Sequence, residues 1–400
     1  MCPVYLDNNA TTRVDPDVVA AMLPYFTESY GNASSSHEFG VSVAGAVREA
    51  RQKVLSLLGA EREQEIIFTS GGTESDNAAL LSAVELGGER DELVVSAVEH
   101  PAILTVCDAL EKEHRVKVRR IGVDASGRID MEAYRSALGP RTALASIMWA
   151  NNETGTIFPM AELAALANEA GALFHTDAVQ AVGKIAIHLK DTKIDMLSLS
   201  GHKFHGPKGI GVLYLRKGVK FRPLVRGGHQ ERARRGGTEN VPAIVGLGKA
   251  AELAVQRLDG ERTHVGVLRD CFEAGVLARI SDCFVAGDIE NRLPNTANIA
   301  FDYAEGEAIL LHLNKAGIAA SSGSACTSGS TEPSHVLTAM NLSYTAAHGA
   351  IRFSFSRENT AADVERVLDV LPGIVARARE VSLFAKERGV ASIATSEALA

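Results

Sequence analysis

Short apolar runs alternate with helical periodicities along the first two-thirds of the chain. Residues 65–69 (EIIFT), 93–96 (LVVS), 143–149, 172–176 and 196–199 are such runs, each followed by turn or polar residues. They predict buried strands. Between them, Val43, Ala46, Val47, Ala50, Val54, Leu57 and Leu58 share one helical face, and Gly59 stops the run. Further helices are predicted to begin near Thr73 and Glu74, after His100 with Pro101 in the first turn, and at Pro159. This alternation predicts an α/β sheet that is largely parallel.

The pattern changes after about Gly260. Runs at 283–286, 298–301 and 351–354 read as strands, separated by helical patterns at 305–315 and 361–375. They predict a second, smaller α+β domain, bridged to the first by a helix from about 243 to 258. No Ser/Pro linker marks the junction. Residues 320–330 (ASSGSACTSGS) are small and polar, the one long segment of that kind inside the folded part. Residues 391–400 are expected to fray.

Composition narrows the class without naming it. The chain has 400 residues, 46% hydrophobic and 22% charged, which are ordinary globular fractions. Its net charge of -8 argues against nucleic acid or an anionic membrane as the main partner. Cysteines at 2, 107, 271, 283 and 326 are too scattered for a disulfide framework or a zinc site. At least one thiol stays unpaired, which fits a reducing compartment. Residues 1–7 carry no basic cluster followed by an apolar run, so no secretory signal is expected, and no apolar stretch is long enough to span a membrane. A cytoplasmic protein is the expectation.

The candidate chemistry lies at strand ends. Ser200, Gly201, His202 and Lys203 follow the run at 196–199. Taken alone, this favours a loop lysine paired with a carboxylate; the other reading is a Schiff-base lysine. Asp177 ends another strand, where it would cap the next helix or hold a pyridine nitrogen protonated. Gln180, three residues on, shares that face and could donate to a ring oxygen. Gly71, Gly72 and Thr73 follow a third strand and open a helix, a simple phosphate cradle or only an N-cap, to which Ser200 and His202 could add donors. His100 follows a fourth strand and could stack on a planar ring or be a buried structural histidine. Asn151 and Asn152 follow a fifth, as ring contacts or a turn. Each signal is modest, but one parallel sheet would converge all five.

The set Thr73, His100, Asn152, Asp177, Gln180, Ser200, His202 and Lys203 resembles the fold-type-I pyridoxal phosphate enzymes, and among them the cysteine desulfurases. The match runs from residues 5–12 (YLDNNATT) to 351–354 (IRFS). Residues 321–327 (SSGSACT) resemble the long catalytic loop of the subgroup serving general and nitrogenase iron–sulfur assembly. Residues 149–156, 175–184 and 226–240 are most similar to the nitrogenase-associated enzyme. The resemblance implies a large cofactor domain over 15–259 with a mainly parallel seven-stranded sheet. It implies a small domain from 1–14 and 260–385 that carries the cysteine loop at 320–335, and a flexible tail at 386–400.

By the same resemblance, Lys203 carries pyridoxal 5'-phosphate on its amine, Asp177 contacts the pyridine nitrogen and Gln180 the phenolic oxygen. His100 stacks on the ring and takes part in catalysis. Asn152 helps position cofactor and substrate. Gly72, Thr73, Ser200 and His202 bind phosphate. Thr238 reaches a phosphate in the neighbouring subunit, which implies a homodimer. Arg352 clamps the substrate carboxylate. Cys326 takes the sulfur of L-cysteine as a persulfide, leaving L-alanine, and passes it to an iron–sulfur scaffold protein. No metal is expected within the chain, although Cys326 could transiently ligate a cluster on a partner.

Rival readings are a selenocysteine lyase or an aminotransferase on the same fold, a hydrolase pairing Cys326 with His335 or His348, and a non-enzymatic sulfur carrier or assembly scaffold. Cys326 in its small-residue loop disfavours the aminotransferase. The hydrolase leaves Lys203 and Asp177 without a task. The basic run at Arg232, Arg234 and Arg235 lacks interleaved aromatics and reads as a dimer-interface loop near a phosphate, not a nucleic-acid patch.

Overall fold

The computed structural model describes residues 3–322 and 333–382. Strand β1 (Val4–Tyr5) opens the described chain. Seven strands then build one sheet: β2 (Ile66–Thr69), β3 (Glu92–Ser96), β4 (Lys117–Ile121), β5 (Thr142–Ser146), β6 (Leu173–Asp177), β7 (Met196–Ser200) and β8 (Gly211–Leu215). Their spatial order is β2-β8-β7-β6-β5-β3-β4. Strand β8 runs against both its neighbours; the remaining pairs are parallel. The expected mainly parallel seven-stranded α/β architecture is therefore present.

Two of these strands escape hydrophobic periodicity. Strand β4 is an edge, and Lys117, Arg119 and Arg120 break its apolar run because one side of it meets water. Strand β8 is wholly buried, but it follows β7 with only a single helical turn and a loop between them, so the β–α alternation gives no cue. At the other extreme, the run at 143–149 is longer than its strand. Ladder pairing stops at Ser146, while Ile147 and Trp149 continue as buried irregular backbone, their N–H groups donating to the carbonyls of His175 (3.1 Å) and Asp177 (2.8 Å).

Both faces of the sheet are covered. Helices Glu38–Leu58 and Met160–Glu169 pack on one side, with the first half of helix Val241–Arg279 beyond. Helices Gly72–Leu86 and Pro101–Lys112 pack on the other. The long helix runs about twenty residues past its expected end. Its buried residues as far as Ala254 join the first core, and those from Val265 join a second. That second core lies between helices Gly306–Lys315 and Ala361–Val381 and an antiparallel sheet of β9 (Cys283–Val285), β10 (Thr296–Phe301) and β12 (Ala350–Ser354). Phe272, Phe353 and Phe355 stack at its centre. Strand β1 pairs in parallel with β11 (Ile318–Ala319), so the start of the chain belongs to this second body. No described helix is long and apolar enough to cross a membrane.

Candidate active site

Parallel strands end together, and the loops that leave those ends enclose a cavity of about 400 Å³. Gly72, Thr73, His100, Asn152, Asp177, Gln180, Ser200, His202, Lys203 and Arg352 all line it. The sequence had separated them by up to 280 positions. Thr238 is exposed and does not line it. Cys326 lies outside the described residues, within 323–332. The residues flanking that segment are anchored at the cavity. Ser321 exchanges two backbone hydrogen bonds with Arg352 (2.7 and 3.2 Å), and Ser334 donates from Oγ to Glu153 Oε2 at 2.5 Å.

Each functional side chain is placed by its element. Asp177 closes β6, and its Oδ1 accepts from the Val179 N–H at 2.9 Å. Lys203 ends a single helical turn directly after β7, and its Nζ donates to the carbonyls of Asn9 (2.6 Å) and Ala10 (2.9 Å). His100 caps helix Pro101–Lys112, its Nδ1 accepting from the Ala102 N–H at 3.1 Å. That bond puts the proton of the neutral ring on Nε2. Asn151 and Asn152 divide the work that the sequence left open between them. Asn151 builds the turn, its Oδ1 accepting from the N–H groups of Glu153 (2.9 Å) and Thr154 (3.0 Å), while Asn152 faces the cavity.

Burial raises the Asp177 carboxyl, and His100 and Lys203 oppose that rise by favouring its anion. Behind it, burial and then the Asp177 charge push Asp76 well above the usual carboxylate range. Burial lifts Glu99 to about 8. Desolvation drives the buried His175 down to about 3 and His202 to about 4, and it also lowers His100. His175 and His202 are therefore neutral at neutral pH, and the carboxyls behind Asp177 are biased towards holding their protons.

The cavity suits a flat, phosphorylated pyridine. Helix Gly72–Leu86 begins at Gly71 with no side-chain cap, leaving its first amides and its positive end for an anion. Close packing requires glycine here: a Cβ on Gly72 would lie 2.7 Å from Val179 Cγ2, and one on Gly211 would lie 2.7 Å from Gly71 Cα. Ser200 and His202 stand beside that end, and the buried Asp177 supplies the carboxylate that a protonated ring nitrogen needs. Also lining the cavity, Arg352 donates to Asp7 Oδ1 (2.9 Å) and to the Asn152 carbonyl (3.0 Å), and its buried Nε has no partner among the described residues.

Several residues of this site carried no signal in the pattern. Asn9 is buried at the meeting of the two cores and binds Lys203, Gln180 and Lys184. Asp76 and Glu153 line the cavity. Glu99 accepts from Ser96 Oγ (2.6 Å) and the Met148 N–H (2.8 Å), which ties β3 to the strand-end loop after β5. His335, weighed only as a hydrolase partner, lines the cavity and bonds the Glu99 carbonyl at 2.9 Å; His348 does not line it. Buried carboxylates directly beside His100 and after Asn152 were the available clue.

The sequence profile of the aminotransferase class-V family matches residues 4–367. The chain belongs to this family. Aminotransferase class-V enzymes of the desulfurase type depend on pyridoxal phosphate, and the resemblance drawn from the motifs holds. A cysteine desulfurase of Gluconacetobacter diazotrophicus is 69% identical over 384 residues, covering 96% of each chain. The cysteine desulfurase NifS of Azotobacter vinelandii is 60% identical over 384 residues, 96% of this chain and 95% of that one. Among solved structures, a NifS-like protein superposes with a TM-score of 0.87 at 37% identity, covering 94% of this chain and 99% of its own. SspA in complex with cysteine superposes with a TM-score of 0.77 at 34% identity, covering 89% and 100%.

Proposed function

We propose that this class-V enzyme is a cysteine desulfurase that moves the sulfur of L-cysteine onto Cys326. The observation that carries the reading is the convergence of Lys203 and Asp177, from the ends of adjacent strands, on a cavity that Arg352 also lines. Bound pyridoxal phosphate supplies an electron sink for the substrate's Cα. The protein's own groups do the rest. With the cofactor bound, Asp177 would keep its ring nitrogen protonated, Gln180 would donate to its phenolic oxygen, and His100 would cover the ring. Gly72, Thr73, Ser200 and His202 would hold the phosphate, and Asn152 and Arg352 would orient the substrate, the guanidinium gripping its carboxylate. Lys203 would take the Cα proton.

Cys326 as thiolate then attacks the substrate sulfur: an S–S bond forms and the C–S bond breaks, Cβ takes up a proton, and Lys203 returns the Cα proton to give L-alanine.

The working unit we propose is a homodimer in the cytoplasm. Thr238 is exposed in the single chain, as a residue serving a neighbour's phosphate would be. The segment 19–41 exposes Leu23, Phe26, Tyr30, Phe39 and Val41, an apolar face suited to a second subunit. The acceptor we propose is an iron–sulfur scaffold protein, with nitrogenase as the destination on the strength of residues 149–156, 175–184 and 226–240. The large and small domains we divide near residue 260, inside the continuous helix.

Cys326→Ala tests the assignment. The variant is expected to keep the bound chromophore and to lose sulfide release and alanine formation from L-cysteine by 100-fold or more, on the order of removing a nucleophile. Turnover at the parent's rate would contradict it.

A further inference from the structure

Asn9 joins the two cores at the floor of the cavity. Its N–H donates to Ser354 Oγ (2.9 Å), and its Nδ2 donates to Thr296 Oγ1 (2.8 Å) and to the Asn152 carbonyl (3.1 Å). Its main-chain carbonyl accepts from Lys203 Nζ (2.6 Å) and from Gln180 Nε2 (2.9 Å). Its Oδ1 accepts from Lys184 Nζ at 3.2 Å, and the same amine donates to Gln180 Oε1 at 2.7 Å. Lys184 thus closes a ring of hydrogen bonds around the amide of Gln180.

The chemistry of that ring has one solution. The Asn9 carbonyl can only accept, so it takes the amide nitrogen. The amine of Lys184 donates to the amide oxygen, and as an ammonium it could do nothing else. Turned over, Gln180 would set its oxygen against the Asn9 carbonyl. With both partners in place, one N–H of Gln180 is bound to Asn9 and the other is left to the cavity that the residue lines. Lys184 itself is only partly exposed, along a small cleft between the cores. Its amine is crowded by protein, and desolvation, with the charges of Lys203 and Arg352, pushes it well below the ordinary lysine range. Its charge also acts on His205, lowering that imidazole. A lysine in so costly a position needs a task.

We propose that Lys184 is a positioning residue, which holds the Gln180 amide so that nitrogen, not oxygen, is offered to the group bound beside Lys203. The proposal rests on the reading of Gln180 as donor to the phenolic oxygen of the cofactor. A donor there draws charge from that oxygen and weakens its hold on the proton at the Lys203 nitrogen. Losing the donor, or reversing the amide, therefore raises the pH at which the visible band of the bound cofactor titrates.

The test is a pH titration of that band in the purified holoprotein and its variants. Gln180→Leu is expected to raise the midpoint by roughly 0.5 to 1 unit, the scale of one hydrogen bond. Lys184→Met, which keeps the stem and removes the donor, is expected to raise it by a similar amount. Added to Gln180→Leu, it should shift the midpoint no further, because there is no amide left to orient. Lys184→Gln retains a donor and should titrate like the parent. If Gln180→Leu shifts the midpoint and Lys184→Met does not, the role of Lys184 is wrong. If Gln180→Leu leaves the midpoint unchanged, the underlying reading of Gln180 fails instead. Should Lys184→Met not fold, Lys184→Gln decides: a parental midpoint supports the proposal, and a shift as large as that of Gln180→Leu overturns it.

Discussion

Residues with a chemical task were legible where they stood at a strand end among glycines and hydroxyls. Asp177, Lys203 and Thr73 each gave such a signal, and each lines the cavity. Asn9, Asp76, Glu99 and Lys184 were not legible, because their roles come from neighbours that only folding supplies. Glu99 shows the physical reason and offers a test. It is buried, with Oε1 accepting two hydrogen bonds and Oε2 unpartnered among the described residues. Its carboxyl is raised to about 8, so the folded state holds its proton more tightly than the unfolded chain does. Its contribution to stability is therefore most favourable below its unfolded pKa and is lost as pH rises towards 8. Glu99→Gln keeps the accepting oxygen and cannot ionise. Relative to the parent, its denaturation midpoint is expected to be higher at pH 9 than at pH 5.5. A difference between the two proteins that is the same at both pH values would contradict the burial argument.

Elements were legible where a helix separated two strands. Strand β8 follows β7 with only a single helical turn and a loop between them, and β4 is a charged edge, so both were silent in the pattern. The long helix Val241–Arg279 was underestimated because its apolar face turns from one core to the other partway along, and a single helical stripe does not describe it. Its contact with helix Glu38–Leu58 depends on Gly248. A Cβ there would lie 2.6 Å from Ala50 Cα, closer than side chains pack. Gly248→Ala must push the helices apart, and the overpacking should outweigh the better helix propensity of alanine. The expected loss is about 1–3 kcal/mol by chemical denaturation. An unchanged or higher midpoint would show that the interface yields freely.

At the scale of the molecule, the two cores meet over the cavity, and the chain's first residues do the joining. Strand β1 and Leu6 belong to the second core, Asn9 touches Lys203 in the first, and Asp7 pairs with Arg352. Composition and periodicity could not show this, because pairing across more than 300 positions leaves no local trace. The family resemblance did imply it, since its motifs included both 5–12 and 351–354. The proposed function puts a pyridoxal cofactor on Lys203 and a small amino acid against Arg352. The most direct test is the absorption spectrum of the purified protein before and after adding L-cysteine. The account predicts a visible cofactor band that shifts on adding cysteine, with alanine accumulating, and a Lys203→Ala variant without turnover. A colourless protein, or a band indifferent to cysteine, would contradict it.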